Sequence, residues 1–391
     1  MTKYLIKRTI SSIISLFLFL TFMFFVMQIM IPTDFTTQFS LILNRQQREQ
    51  LKQELGIDRP LWERYLDWAN RLLRGSLGTS FYGYPVVNEL KRLIPKTLLI
   101  FLSGTTASFF FGQWLGKKAA WKGPGWFSNL TTFASITLYT SFPPLLAFLL
   151  TYFLGRRVNL FRAMFRGNAL QRLDRLLWAR ASLQPEQVMT YMMLTTATVL
   201  GFLTLVNWSR KRRREPTLPL WQQLLFFVLG TLGIWFLFGF GRLALDILQL
   251  SILPILVFTL LSFGETMLIM RTSMQDTLQE YYITTAEAKG LPEKTIRDKH
   301  AARNALFPVL SRLVISIPYL LTGMVIVEDV LHWPGMSQAL FESMYNQDVP
   351  VVMGALVIVG IVCTVTRLVL DILYAYLDPR IRYTTRSLEA I

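Results

Sequence analysis

The chain has very little of the chemistry that redox enzymes and metalloenzymes use. It contains one cysteine, Cys363, and two histidines, His300 and His332, in 391 residues. One cysteine can form neither an internal disulfide nor a thiolate metal cluster. The sequence also has no G-x-x-x-x-G-K-[ST], G-x-S-x-G, H-E-x-x-H or C-x-x-C motif, so it lacks the usual signatures of ATP hydrolysis, serine hydrolysis and zinc or dithiol chemistry. We therefore expect no catalytic residue, no metal site and no cofactor held by this chain.

Acidic residues are few relative to basic ones. Lys and Arg number 40 against 24 Asp and Glu, which gives a net charge of +16 at pH 7 and a pI near 10.1. In a soluble protein this balance would suggest nucleic acid as a partner. Here 52% of residues are hydrophobic and the mean hydropathy is +0.40. The basic residues cluster beside apolar runs, where the positive-inside tendency and anionic lipid headgroups account for them. The composition therefore predicts an all-α, polytopic membrane protein that contacts lipid and not nucleic acid.

Several apolar runs are candidates for membrane-spanning helices, since about 20 apolar residues cross a bilayer. They are Ile10–Ile31, Thr97–Gly116, Leu130–Leu154, Met189–Trp208, Trp221–Gly241, Leu250–Met270, Leu310–Val327 and Val352–Leu377, which predicts about 8 transmembrane helices. The dense basic segment Arg210–Glu215 lies between the fourth and fifth runs and is expected in the cytoplasm. This arrangement leaves the arginine-rich segment Arg156–Arg180 outside, against the positive-inside trend, and six spans are the alternative.

The most informative polar segment is Arg271–Pro308, an island between two apolar runs. Within Leu278–Thr285, large side chains recur at helical spacing, which predicts a short amphipathic helix that Gly290 ends in a left-handed conformation. Pro292 is expected to open a second helix at its first position, where the amide has no partner. Such a hairpin can bring its backbone close to another surface. The alternative is a solvated cytoplasmic loop without a partner.

Four segments resemble one family in the same order along the chain. YITTAEAKGL followed by KHAARNALFPVL, which together run from Tyr282 to Leu310, is similar to the EAA loop of binding-protein-dependent import permeases, in the form carried by the dipeptide, oligopeptide and nickel group. Glu54–Phe81 resembles the segment after the family's first span, Val327–Leu340 the segment after the penultimate span, and Asp371–Tyr383 the C-terminal end. The resemblance leaves out Gly155–Arg242, which looks like an insertion.

The resemblance implies the type I fold of ATP-binding cassette importer permeases, with six family-like spans and two more in the insertion. The implied segments are the N-terminal tail and first span (1–31), an extracytoplasmic helical segment (32–96), spans two and three (97–154), an insertion with an amphipathic helix and two spans (155–242), and a core permease domain (243–391) that contains a cytoplasmic coupling hairpin (271–308). Pro143 and Pro144 are expected to kink the third span, either beside the pathway or for structural reasons alone.

The resemblance also assigns two sites. The residues expected to couple the chain to an ATPase are Tyr282, Thr285, Ala286, Glu287, Ala288, Lys289, Gly290, Leu291, His300, Arg303, Asn304 and Pro308. A second segment, with Glu328, Trp333, Pro334 and Gly335, resembles an outer gate that re-enters from the outer face through a short helix over Met336–Tyr345. The alternative for this segment is a plain extracytoplasmic loop.

By resemblance, the chain forms half of the translocation pathway for peptides or a related small solute across a bacterial or archaeal cytoplasmic membrane. The implied partners are a homologous second permease, two ATP-binding subunits that hold ATP and magnesium, an extracytoplasmic solute-binding protein, and the lipid membrane. Nickel chelates or another non-peptide solute are the alternative substrates, and export is a weaker alternative. An intramembrane enzyme or receptor is the alternative of a different class. Repeated pairs of active-site polar residues facing each other on the spans would favour it, and the sequence indicates none.

Several ionisable residues lie in or near the predicted spans. Arg367 and Asp371 are spaced i, i+4 near a helix end, where mutual pairing and snorkelling explain them. Glu265 lies inside the sixth predicted span, and a structural and a functional role are both open for it. His300 and His332 are expected on opposite sides of the membrane, so they cannot share a metal ion.

Overall fold

The computed structural model describes residues 2–30, 35–157, 175–213, 215–216 and 218–377. Within these ranges every regular element is helical, apart from one isolated bridge between Thr79 and Pro85. The α-helices are α1 (Thr2–Met30), α2 (Arg45–Leu55), α3 (Leu61–Leu73), α4 (Val86–Trp121), α5 (Trp126–Thr140), α6 (Pro143–Arg157), α7 (Arg175–Ala179), α8 (Pro185–Arg212), α9 (Leu220–Leu237), α10 (Gly241–Leu278), α11 (Tyr281–Ala288), α12 (Glu293–Thr295), α13 (Ala302–Val330), α14 (Met336–Tyr345) and α15 (Val349–Leu377). A π-helical turn, Ile296–Ala301, joins α12 to α13. The all-α prediction is confirmed.

In the part of the chain that the structure describes, most of each apolar run that the sequence predicts as a span is helical. Among the described residues, five helices are both long and apolar enough to cross a membrane, namely α1, α4, α8, α10 and α15. The bent pair α5 and α6 makes a sixth if it is counted as one span, α9 is a shorter apolar helix, and α13 is 29 residues long. The polytopic helical architecture is therefore confirmed, whereas the number of eight spans stays a prediction.

The third predicted span, Leu130–Leu154, is not one kinked helix. It consists of α5 and α6, which are bent by 109° relative to each other. Ser141 is extended, with ψ of 146°, and α6 begins at Pro143. Two consecutive prolines remove two backbone donors and disfavour helical geometry in the residue before them. The helix therefore breaks at this point instead of bending.

Several helices run past the predicted segment boundaries. The boundaries at 96/97, 154/155 and 242/243 lie inside α4, α6 and α10. In addition, α10 extends to Leu278, so Leu278 ends this long helix and does not belong to the short helix predicted for it. The backbone hydrogen bonds of a helix continue into polar residues that also form helix. An apolar run therefore marks the part of a helix that is embedded in the membrane, and it does not mark where the helix ends.

The central feature of the fold is the close packing of α4 against α10. A Cβ added to Gly104 would collide with the Phe258 ring, and one added to Gly112 or Gly116 would collide with the backbone near Met267. Small residues allow such an approach between helices in lipid, where no hydrophobic driving force pushes them together. The two helices contain 36 and 38 residues, so each is longer than the roughly 20 residues that cross a bilayer.

Buried apolar side chains form a cluster at each end of this pair. The outer cluster includes Leu99, Ile100, Phe101, Val188, Met189, Met192, Trp235, Phe240, Ala244, Ile247 and Trp333. The inner cluster comprises Ala120, Met270, Met274, Ile283, Ala286, Ile296, Ala301, Ala302, Ala305 and Val309. We call the two ends outer and inner after the predicted orientation, in which the hairpin faces the cytoplasm.

The predicted insertion contains α8 and α9. Helix α8 packs against α4 and α10, and α9 packs against α8 and α10. Trp235 Nε1 donates to Thr195 Oγ1 at 2.8 Å, which joins the end of α9 to the first half of α8. Trp178 Nε1 donates to Asp246 Oδ2 at 2.8 Å and ties α7 to the start of α10. Most of the predicted amphipathic helix in this segment lies outside the described residues, and so does the Asp371 side chain with its predicted pairing.

Candidate functional site

The inner end carries the hairpin that the sequence predicts. α11 stops just before Gly290, whose φ of +68° is a left-handed conformation that glycine adopts without strain. Pro292 precedes α12 as its cap and is not its first helical residue, since Thr295 N donates to the Pro292 carbonyl at 2.8 Å. The turn is therefore as predicted, with the second helix beginning one residue later than expected.

One face of α11 holds the hairpin to the rest of the chain. Ile283 and Ala286 are 1% and 5% exposed, and both belong to the inner cluster. Ala286 is in the predicted coupling set, but it packs inward because helical spacing places it on the same face as Ile283. The opposite face is open, and Tyr281 at its start is 90% exposed. The exposed members of the predicted set on this arm are Tyr282, Thr285, Glu287, Ala288, Lys289 and Gly290.

The second arm of the hairpin adds to the same surface. Its predicted residues are exposed at Arg303, Asn304 and Pro308 and half-buried at Leu291 and His300. Asn304 Nδ2 donates to Tyr282 Oη at 2.7 Å, so a hydrogen bond between exposed side chains ties the two arms. The structure thus brings most of the predicted coupling residues to one hairpin that is anchored on its inner face and open on the other.

A group of charges that the sequence analysis missed joins the hairpin to α4. The two carboxylate oxygens of Asp298, in the π-helical turn, lie 2.8 Å from Lys117 Nζ and 2.9 Å from Arg297 Nη2. Hydrogen bonds from Arg297 first, and then from Lys117, lower the pKa of Asp298 to about 2. In the sequence, Lys117 is recognisable as one of the basic residues that indicate the cytoplasmic side of the membrane. No sequence pattern indicates that it contacts Asp298, which lies far from it along the chain.

At the outer end, the buried carboxylate of Glu328 connects three helices. Glu328 lies near the end of α13 and has no exposed surface. Its Oε1 accepts from Thr97 Oγ1 at 2.7 Å, and its Oε2 accepts from the amides of Ser337 and Gln338 at 2.9 and 3.1 Å. Met336 N donates to Thr97 Oγ1 at 2.7 Å. The first amides of α14, which have no partner inside their own helix, are therefore bound by side chains from α4 and α13.

The turn before α14 is fixed by the other predicted gate residues. The Trp333 ring is fully buried in the outer cluster, and its Nε1 donates to the Lys96 carbonyl at 3.1 Å. A Cβ on Gly335 would collide with the Glu328 carboxylate, so any other residue here would displace that carboxylate. Pro334 is half-buried. The predicted short helix after this turn is confirmed with its predicted bounds, and Lys96 and Thr97 are contacts that the sequence did not reveal.

Two family descriptions match the chain. Residues 104–383 match the family described as "Binding-protein-dependent transport system inner membrane component". Residues 1–86 match the family described as "Binding-prot-dependent transport system membrane comp, N-term". The chain belongs to this permease family. It is therefore a multi-pass inner-membrane permease subunit of an ATP-binding cassette importer with the type I fold, and a transport protein instead of an enzyme.

Curated relatives of this permease extend over most or all of its length. It is 27% identical to the dipeptide transport system permease protein DppB of Lactococcus lactis subsp. cremoris (strain MG1363), across 98% of this chain and 100% of the relative. It is 28% identical to the oligopeptide transport system permease protein AppB of Bacillus subtilis (strain 168), with the same coverage. It is 31% identical to the probable D,D-dipeptide transport system permease protein DdpB of Escherichia coli (strain K12), across 85% of this chain and 84% of the relative. The resemblance inferred from the four segments is confirmed.

Proposed function

We propose that this permease is one of two membrane subunits of an importer that carries peptides into the cell. Its relatives are named for dipeptides, oligopeptides and D,D-dipeptides, which supports a peptide substrate. The proposed partners are a homologous second permease, two ATP-binding subunits and an extracytoplasmic solute-binding protein. ATP and magnesium belong to the ATP-binding subunits, since this sequence has no nucleotide-binding motif.

The observation that carries the proposal is the two-sided hairpin at the inner end. One face is fixed to the rest of the chain by the buried side chains of Ile283 and Ala286. The opposite face is open, and Tyr281 on it is almost fully exposed. A short helix that is anchored on one side and open on the other fits a groove of a partner protein, and exposed aromatic residues supply much of the contact energy in such interfaces. We assign that groove to an ATP-binding subunit.

The second arm of the hairpin gives a route for the coupled motion. From Glu293 to Val330 the chain is helical without a break, through α12, the π-helical turn and α13. The same arm that meets the ATP-binding subunit therefore carries Glu328, which holds the first amides of α14 at the other end. In the proposed mechanism, closure of the ATP-binding subunits pushes the hairpin, α13 moves with it, and access to the pathway alternates between the two sides.

The proposal is tested by purifying the complete complex and reconstituting it in proteoliposomes, with candidate partners taken from neighbouring reading frames. We expect the second permease and the ATP-binding subunits to copurify, and peptide-loaded binding protein to stimulate both ATP hydrolysis and peptide uptake. Stimulation by a nickel chelate and not by peptides would replace the proposed substrate while keeping the importer. Absence of any ATP-binding subunit from the active complex would contradict the proposed coupling.

A further inference from the structure

A charged pair lies between α10 and α13, within the parts of both helices that the sequence predicts to cross the membrane. Arg312 Nε donates to Glu265 Oε1 at 2.6 Å, and the two side chains keep 51% and 18% of their surface exposed. Both residues fall inside predicted spans, Leu310–Val327 and Leu250–Met270. Ionised side chains at this depth are costly against lipid tails and face protein or a water-filled cavity instead. Lipid therefore does not cover this part of the surface.

The surroundings of the pair differ from the surfaces expected to face lipid. On α9 the large exposed side chains are apolar: Trp221, Leu224, Leu225, Phe226, Val228, Leu229, Phe236 and Leu237. On α13, Phe307 and Ile315 are exposed on either side of Arg312 along the helix. A few charged groups set in an apolar wall are typical of a ligand site, where the apolar lining supplies contact area and the polar groups fix orientation.

The charged pair is not what holds α10 against α13. In the inner cluster, Met270 and Met274 of α10 already lie with Ala305 and Val309 of α13. Ser273 Oγ also donates to the Ala305 carbonyl at 3.0 Å. A half-exposed ion pair adds little stability to such packing. The presence of two charges at this depth therefore calls for a role beyond holding the helices together.

We propose that Glu265 and Arg312 line the translocation pathway and bind the two charged ends of a zwitterionic peptide. Glu265 receives the terminal ammonium group. Arg312 receives the terminal carboxylate, whose two oxygens match the planar guanidinium. This inference rests on the proposed import of peptides and names the part of the permease that recognises them.

The charge balance of the pair explains how it serves both the empty and the loaded pathway. Without a peptide, the two side chains neutralise each other and leave no uncompensated charge at membrane depth. A zwitterion brings one charge of each sign, so the pair opens and exchanges partners while the site stays neutral. A peptide with one blocked end offers an opposite charge to only one member of the pair, which is disfavoured. The pair therefore selects peptides with two free ends.

The test uses the complete transporter in proteoliposomes, with trialanine, trialanine amide and N-acetyl-trialanine as probes. For each variant, kcat/KM for free trialanine is divided by kcat/KM for each blocked peptide. The binding protein is the same throughout, so its own preference cancels when a variant is compared with the wild type. Glu265→Gln is expected to lower the ratio of free trialanine to N-acetyl-trialanine about tenfold. Arg312→Gln is expected to lower the ratio of free trialanine to trialanine amide about tenfold. In each case one charge-assisted hydrogen bond to the peptide is lost. Each variant should leave its other ratio unchanged.

Arg210→Gln is the matched control, because Arg210, in the last turn of α8, pairs at 3.6 Å with Glu215 in the loop between α8 and α9. It should change neither ratio.

The exchanged double variant, Glu265→Arg with Arg312→Glu, keeps the pair neutral and is expected to assemble and still to prefer free trialanine. Unchanged ratios in both single variants, or an assembly defect that the exchange repairs with no change in either ratio, would overturn the proposal. A wild-type transporter that imports another solute and none of these probes would overturn the peptide function as well.

Discussion

Thr97 shows how one hydroxyl can hold together three helices. Its Oγ1 donates to Glu328 and accepts from the amide of Met336. Thr97→Val keeps nearly the same shape but leaves a buried carboxylate and a buried amide each short of a partner. We expect the free energy of unfolding to fall by about 1–3 kcal/mol. Thermal unfolding of the purified complex should show this loss, and ATP hydrolysis without peptide should rise because the outer end is less firmly held.

Thr97→Ser is the control for this change, since it retains the hydroxyl and loses only a methyl group. It should behave much more like the wild type in both measurements. If Thr97→Val unfolds at the wild-type temperature and keeps the wild-type basal hydrolysis, the outer end is held by other contacts and the role given to Thr97 is wrong.

Gly290 determines how tightly the hairpin can turn. Its φ of +68° costs roughly 1–2 kcal/mol for a residue with a Cβ, yet an added Cβ would meet no described atom within 4 Å apart from its own chain neighbours. Gly290→Leu should therefore leave the permease folded but abolish transport and peptide-stimulated ATP hydrolysis, because in the proposed complex the new side chain projects towards the ATP-binding subunit. Both activities are measured in proteoliposomes after assembly has been checked.

Gly290→Asn is the matched variant, because asparagine tolerates the left-handed conformation better than leucine does. It is expected to keep much of the activity. Normal transport and normal stimulated hydrolysis in an intact Gly290→Leu complex would show that the ATP-binding subunit docks elsewhere.

At the scale of helices, the sequence revealed turns more reliably than contacts. The left-handed turn at Gly290 and the short helix after Gly335 follow from residues that act on their own backbone. The same reasoning underestimated Pro143 and Pro144, because it allowed for a kink where two missing donors produce a break. It also placed Leu278 in the wrong helix, since apolar spacing does not show where α10 ends.

Side-chain contacts between helices were beyond the reach of sequence patterns. Glu328 and Glu265 could be singled out as ionisable groups near or inside apolar runs. Their partners, Thr97 and Arg312, lie on other helices, and only tertiary packing decides which side chains meet there. The same holds for Asp298, whose partner on α4 was visible only as one of several lysines beside an apolar run.

The ion pair between Lys117 and Asp298 links α4 to the hairpin, with side chains that are 24% and 30% exposed. Lys117→Glu and Asp298→Lys should each reduce peptide-stimulated ATP hydrolysis, because like charges then replace an attraction. The double exchange should recover part of it. A double-mutant cycle on thermal stability is expected to give a coupling energy of about 0.5–1 kcal/mol. Additive effects in that cycle would mean that the pair contributes nothing.

The strength of this link should not vary with pH near neutrality. The pKa of Asp298 is lowered from its usual 3.8 to about 2 in the folded chain. A carboxylate with a lowered pKa contributes its full stabilisation above the unfolded value, and this is lost only as the pH falls from there through about 2. The coupling energy should therefore be equal at about pH 5.5 and pH 8, and a marked difference would show that another group titrates with the pair.

At the scale of the whole chain, the insertion can add two spans without inverting the helices that follow it. The start of α8 lies in the outer cluster, and Arg210–Arg213 lie at its other end, where basic residues favour the cytoplasm. In a Cys363→Ala background, a membrane-impermeant thiol reagent should label Ser182→Cys from the outside and Ser209→Cys from the inside. Labelling of Ser182→Cys only from the inside would contradict the eight-span arrangement.

Two further positions calibrate the labelling experiment. Ser40→Cys lies in the predicted extracytoplasmic segment and Thr284→Cys on the exposed face of the hairpin, and both positions are exposed. They should react from opposite sides. Each insertion site can then be compared with a position whose expected side does not depend on the insertion.

Helix α4 has a consequence for how the two sides of the membrane influence each other. Its 36 residues extend over about 54 Å at 1.5 Å per residue, with Thr97 bonded to Glu328 towards one end and Lys117 bonded to Asp298 towards the other. If α4 transmits the coupling, thermodynamic linkage makes the effect reciprocal. Bound nucleotide then changes the affinity for the solute-binding protein by a certain factor, and the bound solute-binding protein changes the affinity for nucleotide by the same factor. Thr97→Val, a change on the outer side, should then be measurable as a smaller shift in nucleotide affinity on the inner side.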